Sequence, residues 1–405
     1  MRVLFIHEIS WRSTVTFEMH ELPELLSLRG HDIDFLDFPE GVRPSGFRRI
    51  LDLKTTVEWH QSRTYEDSAV RVFSPGRVFA KPLDRLTASF TFIPLLLKLL
   101  RRNQYQVIFL YSVPTTGWQT VLIARLLRIP VLFRAIDVPH EIRRSVFRSL
   151  IRVAERFVYR NATWVSANNS ELLDYCRAFG ASTTCSSVDF AGLDPLKVVN
   201  CNDVSQEIRD RFGVLAGERV VCYLGTLFRF SGLDRVIAEL AESGAELDNY
   251  KLVIAGSGEQ LPILQKQIRD LEMEERVRLV GRIGFDEISN LFSISNIGLI
   301  PFEQLPVSQL AFPWKSVQYL LAGLPVIASE LRGLKTVFQE GVGVTYVGCH
   351  DSYSERIQFL LENPLQARVL AQRGHDVVLD KFLWTKNILE FERLLETTIA
   401  RGDSR

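Results

Sequence analysis

Neither a disulfide framework nor a zinc site is available to this chain of 405 residues. Its five cysteines (Cys176, Cys185, Cys201, Cys222 and Cys349) are odd in number, scattered, and never spaced as CxxC. A reducing cytosol suits such usage best. Long apolar runs are missing too: the most apolar stretch, residues 90–100, is interrupted by Pro94 and Lys98 and falls far short of the roughly 20 residues that span a bilayer. A secretory leader is not expected, because MRVLFIHE runs straight into strand-like sequence. There is no excess of charge of either sign, with 48 basic and 48 acidic side chains, so nucleic acid is not an expected partner. With 46% hydrophobic and 24% charged residues, the composition is that of a folded globular protein.

Zero net charge conceals an asymmetry. Residues 1–200 carry 26 Lys and Arg against 20 Asp and Glu, and residues 41–160 alone carry 21 against 8. A basic first half suggests an anionic neighbour. Along the chain, short β-branched runs alternate with longer amphipathic ones, the pattern of parallel sheets with helical crossovers. In the first half, strands are expected at 2–7, 32–37, 106–111, 131–136 and 163–166, with helices at 17–29, 83–102, 117–127 and 141–160. The second half repeats the pattern with strands at 220–224, 251–255, 277–280, 297–300 and 326–328. Residues 186–217 read as a connector. The expectation is α/β, two doubly wound Rossmann-like domains (1–198 and 199–384) facing each other across a cleft, with ligand at the carboxyl ends of the strands. A final helical segment, 385–405, has no strand after it.

The chemistry-bearing patterns follow the strands of the second half. YLGTLFRFSGLDRVI (223–237) is a strand, a turn and a helix, and free N–H groups in that turn suit a phosphate. Gly225, Thr226, Arg229 and Ser231 are its candidate donors and charge. LVIAGSGE repeats the arrangement with Gly256 and Gly258. VRLVGRI places Arg282 and Ile283 after a strand, where exposed backbone suits a nucleobase edge. In AFPWKSVQYLLAGLPVIAS (311–329), Pro313 pre-sets a helix start and Gly323 ends it. Trp314, Lys315 and Ser316 then become candidate anion contacts, and Gln318 is a polar residue in an apolar turn able to read ribose hydroxyls. In FRAIDVPHE, Arg134, Asp137 and His140 stand at the end of a first-half strand. Asp32 and Asp34 form an Asp-x-Asp on a period-2 strand, with no loop to present them to a metal.

Taken in order, these motifs resemble the retaining, sugar-nucleotide-dependent glycosyltransferases of the GT-B fold, family 4 type, found in bacterial polysaccharide and glycolipid synthesis. LLSLRGHDIDFLDF, SSVDFAGLDP, GTLFRFSGLDRVI, VIAGSGE, VRLVGRI, LFSISNIGLIPF, WKSVQYLLAGLPVIAS and FLWTKNILEFERLLE occur in the family's sequence of motifs. The resemblance implies a nucleotide-diphosphate sugar as donor, a glycan or lipid-linked acceptor, retention of configuration, and no metal or other cofactor. It puts the base near Arg282 and Ile283, the diphosphate near Gly225 and Lys315, and the acceptor against the N-terminal domain, with the final helix crossing back to it. Asp137, Lys315 and Arg229 are the expected catalytic residues, and Arg134 and His140 the expected acceptor contacts. Two usually acidic positions fall on Leu310 and Gln318, two usually basic ones on Thr226 and Ser231, and a usual His on Ile136. An alternative is a protein that has lost chemistry and serves as a binding partner in glycan assembly.

A membrane-facing side is expected as well. Arg144, Arg148 and Arg152 recur at i, i+4 and i+8 with Phe147, Ile151 and Val158 nearby, joined by Arg43, Arg48, Arg49 and the Leu-rich LLKLLRR. Anionic lipid attracts such surfaces, which makes the cytosolic membrane face the expected location.

Overall fold

The computed structural model describes residues 1–12, 16–38, 54–76, 84–142, 147–198, 205–243 and 249–403; Arg43, Arg48, Arg49 and Arg144 lie outside them. The chain divides into two compact units, Met1–Ala191 with Thr385–Arg405, and Gly192–Trp384.

Unit 1 is built on β1 (Arg2–Ile6), β2 (Asp32–Leu36), β3 (Thr56–Gln61), β4 (Val70–Ser74), β5 (Val107–Leu110), β6 (Val131–Ala135), β7 (Trp164–Ala167) and β8 (Ser186–Val188). They form one sheet in the order β3-β4-β2-β1-β5-β6-β7-β8, parallel throughout except for β3, which pairs antiparallel with β4. Helices cover a parallel sheet on both faces, so its central strands read as unbroken apolar runs; VLFI in β1 and VIFL in β5 are fully buried. Phe5 stacks on Phe109 at 4.7 Å between ring centres, and Phe109 meets Phe391 of the helix Trp384–Asp403 at 6.1 Å. That last helix is tied down further: Glu392 accepts from Arg29 (2.6 Å) and pairs with His31 (2.8 Å), and Asn387 donates to Phe190 O and Ala191 O (both 3.0 Å).

Unit 2 contains β9 (Arg219–Leu224), β10 (Tyr250–Ala255), β11 (Val277–Gly281), β12 (Ile297–Ile300), β13 (Val326–Ser329) and β14 (Val344–Val347). Their order is β11-β10-β9-β12-β13-β14, all parallel. Chain order runs outward in both directions from β9 and β12, so the loops after those two strands part to opposite faces. Such a switch point opens a crevice at the carboxyl ends of the strands. In unit 1 the corresponding position lies between β1 and β5.

Several expectations need correction. Residues 186–188 belong to the first sheet as its edge strand β8 rather than to a connector. The helix expected at 83–102 is a short turn, Asp84–Thr87, followed by Ser89–Asn103. The one expected at 141–160 appears as Pro139–Ile142 and Arg148–Asn161. Asp32 and Asp34 need no such correction: they lie on β2 as expected and pair with arginines, Asp32 with Arg2 at 2.9 Å and the buried Asp34 with Nε and Nη2 of Arg71, each at 2.6 Å. Tyr105 also donates to Asp34.

Candidate active site

In unit 2 the loops after β9, β10 and β11 lie side by side. Gly225 N–H donates to Ala255 O (2.9 Å), Leu227 N–H to Ser257 O (3.1 Å) and Gly256 N–H to Gly281 O (2.8 Å). Close approach of backbones is what the glycines allow. A Cβ on Gly256 would stand 1.9 Å from Gly225 O, and one on Gly258 2.3 Å from Leu227 O. Gly256→Ala must therefore push the two loops apart. The expected result is a loss of about 1–3 kcal/mol in chemical denaturation, typical of overpacking, together with weaker nucleotide-diphosphate binding by calorimetry; unchanged values in both would mean that the loop pair is not under this constraint.

Lys315 is the first residue of the helix Lys315–Leu321. Its ammonium sits 3.7 Å from the centre of the Tyr223 ring and 5.1 Å from that of Phe302, and 3.0 Å from where a Cβ on Gly225 would stand. Cation–π contact partly replaces the lost water, yet the ammonium has no carboxylate or hydrogen-bond partner among the described residues. Although part of the residue reaches the surface, burial of the charged end pulls its pKa down to about 7. Tyr319, one turn on, accepts the Leu224 N–H through its hydroxyl (2.7 Å) and so locks this helix to the end of β9. Tyr223 in turn donates to Thr226 O (2.9 Å).

The other expected donor residues fall into two groups. Thr226, Arg229 and Arg282 are exposed and Ile283 is half-buried beside them on the same strand-end surface; the Gln318 side-chain amide has no hydrogen-bond partner among the described residues. Ser231, Ser316 and Trp314, in contrast, are built into the fold. Ser231 is 1% exposed. The buried Ser316 hydroxyl donates back to Pro313 O (2.8 Å), a local bond that Ser makes readily. Trp314 packs edge-on against Phe382, with ring centres 5.9 Å apart. Tyr223, Tyr319 and Phe302 went unrecognised in the sequence, where they look like ordinary strand and helix aromatics.

At the switch point of unit 1, a small cleft of about 70 Å³ is lined by His7, Glu8, Tyr111, Ser112, Val113, Pro114, Ile136, Asp137 and Pro139. Asp137 is therefore placed at a strand-end opening. Arg134 and His140 are not: both expected acceptor contacts are committed inward. Arg134, fully buried in β6, donates to both Glu18 oxygens (2.8 and 2.9 Å), to Ser166 Oγ (2.9 Å) and to Asp189 O (2.7 Å). His140 is held by Glu155 through Nδ1 (2.7 Å) and by Glu141 through Nε2 (3.1 Å). Their positions at a strand end hid these partners, of which Glu18, Ser166, Asp189 and Glu155 come from elsewhere in the chain. Glu8 was missed as well; its buried carboxylate, in the loop after β1, accepts from Thr115 N–H (2.6 Å) and Thr116 N–H (3.1 Å) and so ties that loop to the turn before the helix Gly117–Leu126.

Two parallel sheets, each opened at its switch point, describe the GT-B architecture, and the comparisons agree. Residues 204–377 match the family described as glycosyl transferases group 1, and residues 16–184 match the glycosyl transferase 4-like domain. The chain belongs to the GT-B glycosyltransferases of this group. It is 24% identical over 191 residues to an uncharacterised glycosyltransferase of Methanocaldococcus jannaschii (47% of each chain), and 24% identical over 188 residues to the alpha-monoglucosyldiacylglycerol synthase of Streptococcus pneumoniae (46% of this chain, 41% of that one). The matched segments thus span less than half the length of these relatives. Among solved structures, sucrose-phosphate synthase of Thermosynechococcus elongatus superposes with a TM-score of 0.76 at 17% identity, covering 98% of this chain and 99% of the other. Anabaena HepE in complex with UDP-glucose gives 0.73 at 18% identity, covering 98% and 100%.

Proposed function

We propose that the protein transfers a sugar from a nucleotide-diphosphate sugar to a glycan or lipid-linked acceptor. The observation that carries this reading is the ammonium of Lys315: a buried cation with no carboxylate partner among the described residues, beside the glycine turns at a switch point. A buried charge left unpaired is costly, and an anionic ligand would remove that cost. In this reading the diphosphate lies against Gly225, Thr226, Gly256, Gly258 and Lys315, with Arg229 supplying further charge; the base lies near Arg282 and Ile283, and Gln318 reads the ribose. Stabilising the leaving diphosphate is then chiefly electrostatic. Asp137 positions the acceptor hydroxyl or faces the developing oxocarbenium charge. The departing phosphate oxygen takes the acceptor proton, configuration is retained, and no metal is needed. UDP and UDP-glucose in the HepE complexes support such a donor, with glucose as a fitting hexose. The monoglucosyldiacylglycerol named as product of the Streptococcus relative supports a lipid acceptor, reached by a cytosolic protein peripheral to the membrane.

The test is a thermal-shift screen of nucleotide diphosphates and nucleotide sugars, with and without EDTA. A ligand at 100 times its Kd stabilises a protein by about 2.7 kcal/mol, so a clear rise in melting temperature is expected for one nucleotide series, unaltered by EDTA. If none produces a shift, the donor site does not exist; a shift abolished by EDTA would replace the metal-free reading.

A further inference from the structure

We propose that the helix Pro364–Lys381 of unit 2 is a self-association face that packs antiparallel on the same helix of a second copy of this chain. The helix has 18 residues, and its inner side is made mostly of small ones: Ala367, Ala371 and Gly374 are buried together with Val378. Close seating requires this, since a Cβ on Gly374 would stand 2.5 Å from the Gly343 Cα just before β14. The larger apolar side chains face the other way. Leu365, Val369 and Leu379 are 79%, 53% and 37% exposed, and with Gln372 and Asp376 they fall within about 40° of one line along a helix of 3.6 residues per turn. A shallow groove lined by Leu365, Val369, Leu370 and Arg373 borders that line and runs on to the exposed Phe359 of the helix Tyr353–Glu362. Packing within the unit accounts for the inner side of Pro364–Lys381 and leaves its outer apolar side unexplained by folding.

Charge and register identify the occupant. Among the described residues Arg368 has no ion-pair partner, and Asp376 accepts only from the neutral amide of Gln372 (2.8 Å). A closed dimer is built on a two-fold axis, and a two-fold contact uses one patch twice. With the axis passing beside Gln372, antiparallel helices set residues equally far before and after it opposite one another. Leu365 and Leu379 are each seven residues away, Arg368 and Asp376 each four. Each leucine therefore meets the other leucine of the second copy, each arginine meets the aspartate, and both contacts occur twice. At interaxial distances of about 8–10 Å these pairs are within side-chain reach. An anionic bilayer or an acidic peptide would meet Asp376 with like charge, whereas this chain itself carries the matching face. The contact runs along one helix about 27 Å long, small for an interface, so a reversible dimer in the micromolar range is expected. None of these residues belongs to the donor site, so the inference stands independently of the reaction proposed above.

The experiment is sedimentation velocity of the full chain from about 1 to 200 μM, the range in which an interface of this size associates. A monomer–dimer equilibrium is expected. Leu365→Glu/Leu379→Glu should abolish it, and Arg368→Asp and Asp376→Arg should each weaken it by roughly tenfold or more, since each puts two like-charge pairs into the dimer. Mixing the two charge variants should restore association as a heterodimer, and joining both changes in one chain should restore the homodimer, because opposite charges then face each other again. Melting curves at the lowest concentration, where every variant is monomeric, control for folding; exposed changes of this kind shift stability little. A chain that stays monomeric throughout, a dimer that survives Leu365→Glu/Leu379→Glu, or charge variants that mixing fails to restore would each overturn the inference.

Discussion

Replacing Lys315 with methionine should weaken nucleotide-diphosphate binding by about 100-fold or more while making the empty protein more stable. The affinity loss follows from removing a preorganised buried charge that faces the diphosphate, since truncating one partner of a buried charge pair costs about 2–5 kcal/mol of binding. The stability gain follows from the same geometry. The ammonium lies against Tyr223 and Phe302 with no acid beside it, and its pKa falls from 10.5 to about 7 because burial disfavours the charged form. The sign is fixed by linkage: the unfolded chain holds this proton more tightly than the folded one, so the penalty is absent above pH 10.5, grows as pH falls, and is complete below about 7. Wild-type stability should therefore carry a component that rises with pH across that window, and the methionine variant should lack it. Binding of a diphosphate restores the charged form, so binding above pH 7 takes up a proton and affinity declines with rising pH. Calorimetry in two buffers of different ionisation heat measures that uptake. A variant that binds as well as wild type, or wild-type binding with no proton uptake, would place the diphosphate elsewhere.

Arg134→Met is expected to cost about 3–5 kcal/mol, enough to unfold unit 1 or nearly so. Removing one member of a buried pair leaves the other desolvated and uncompensated. Here the guanidinium also joins four otherwise separate pieces: Glu18 at a helix start, Ser166 in β7, the Asp189 carbonyl beyond β8, and the Phe391 ring of the last helix, 5.3 Å away. Lysine should not rescue it, since a single ammonium cannot reproduce the planar fork. A double variant, Arg134→Met with Glu18→Leu, should recover part of the loss because neither charge is then stranded. Denaturant unfolding measures all three. A loss below about 1 kcal/mol for Arg134→Met would show that water already satisfies these groups.

The central strands were legible because a parallel sheet buried on both faces leaves one unmistakable trace, a short run with no polar residue. Edges leave no such trace. In β3, TVEWHQ is mostly exposed and pairs through an irregular register, and β8 has only three residues, so neither rises above loop-like sequence. At the site, the glycine turns were readable since they recur directly after strands, and Lys315 because Pro313 marks a helix start just before it. Arg134 and His140 were misread for a physical reason: a polar residue at the end of an apolar run looks the same whether it meets solvent or an internal acid, and Glu18 is 116 residues away from Arg134 in the chain. The surface helices were misread in phase. Two apolar stripes share Arg148–Asn161, Ile151 and Val158 buried, Leu150 and Val153 exposed, and the Leu-rich Ser89–Asn103 buries Leu95, Leu96, Leu99 and Leu100; spacing alone cannot say which stripe faces the core.

Unit 1 closes only after unit 2 has been made. The helix that seats Phe391 on Phe109 and Glu392 on Arg29 begins at Trp384, whereas the rest of unit 1 ends at Ala191. At translation rates of about 5–20 residues per second, the intervening 192–384 segment keeps that seat vacant for roughly 10–40 s. During this interval the first sheet presents apolar surface around Phe109 that Phe391 will later cover, so the emerging protein is at its most aggregation-prone before the helix Trp384–Asp403 leaves the ribosome.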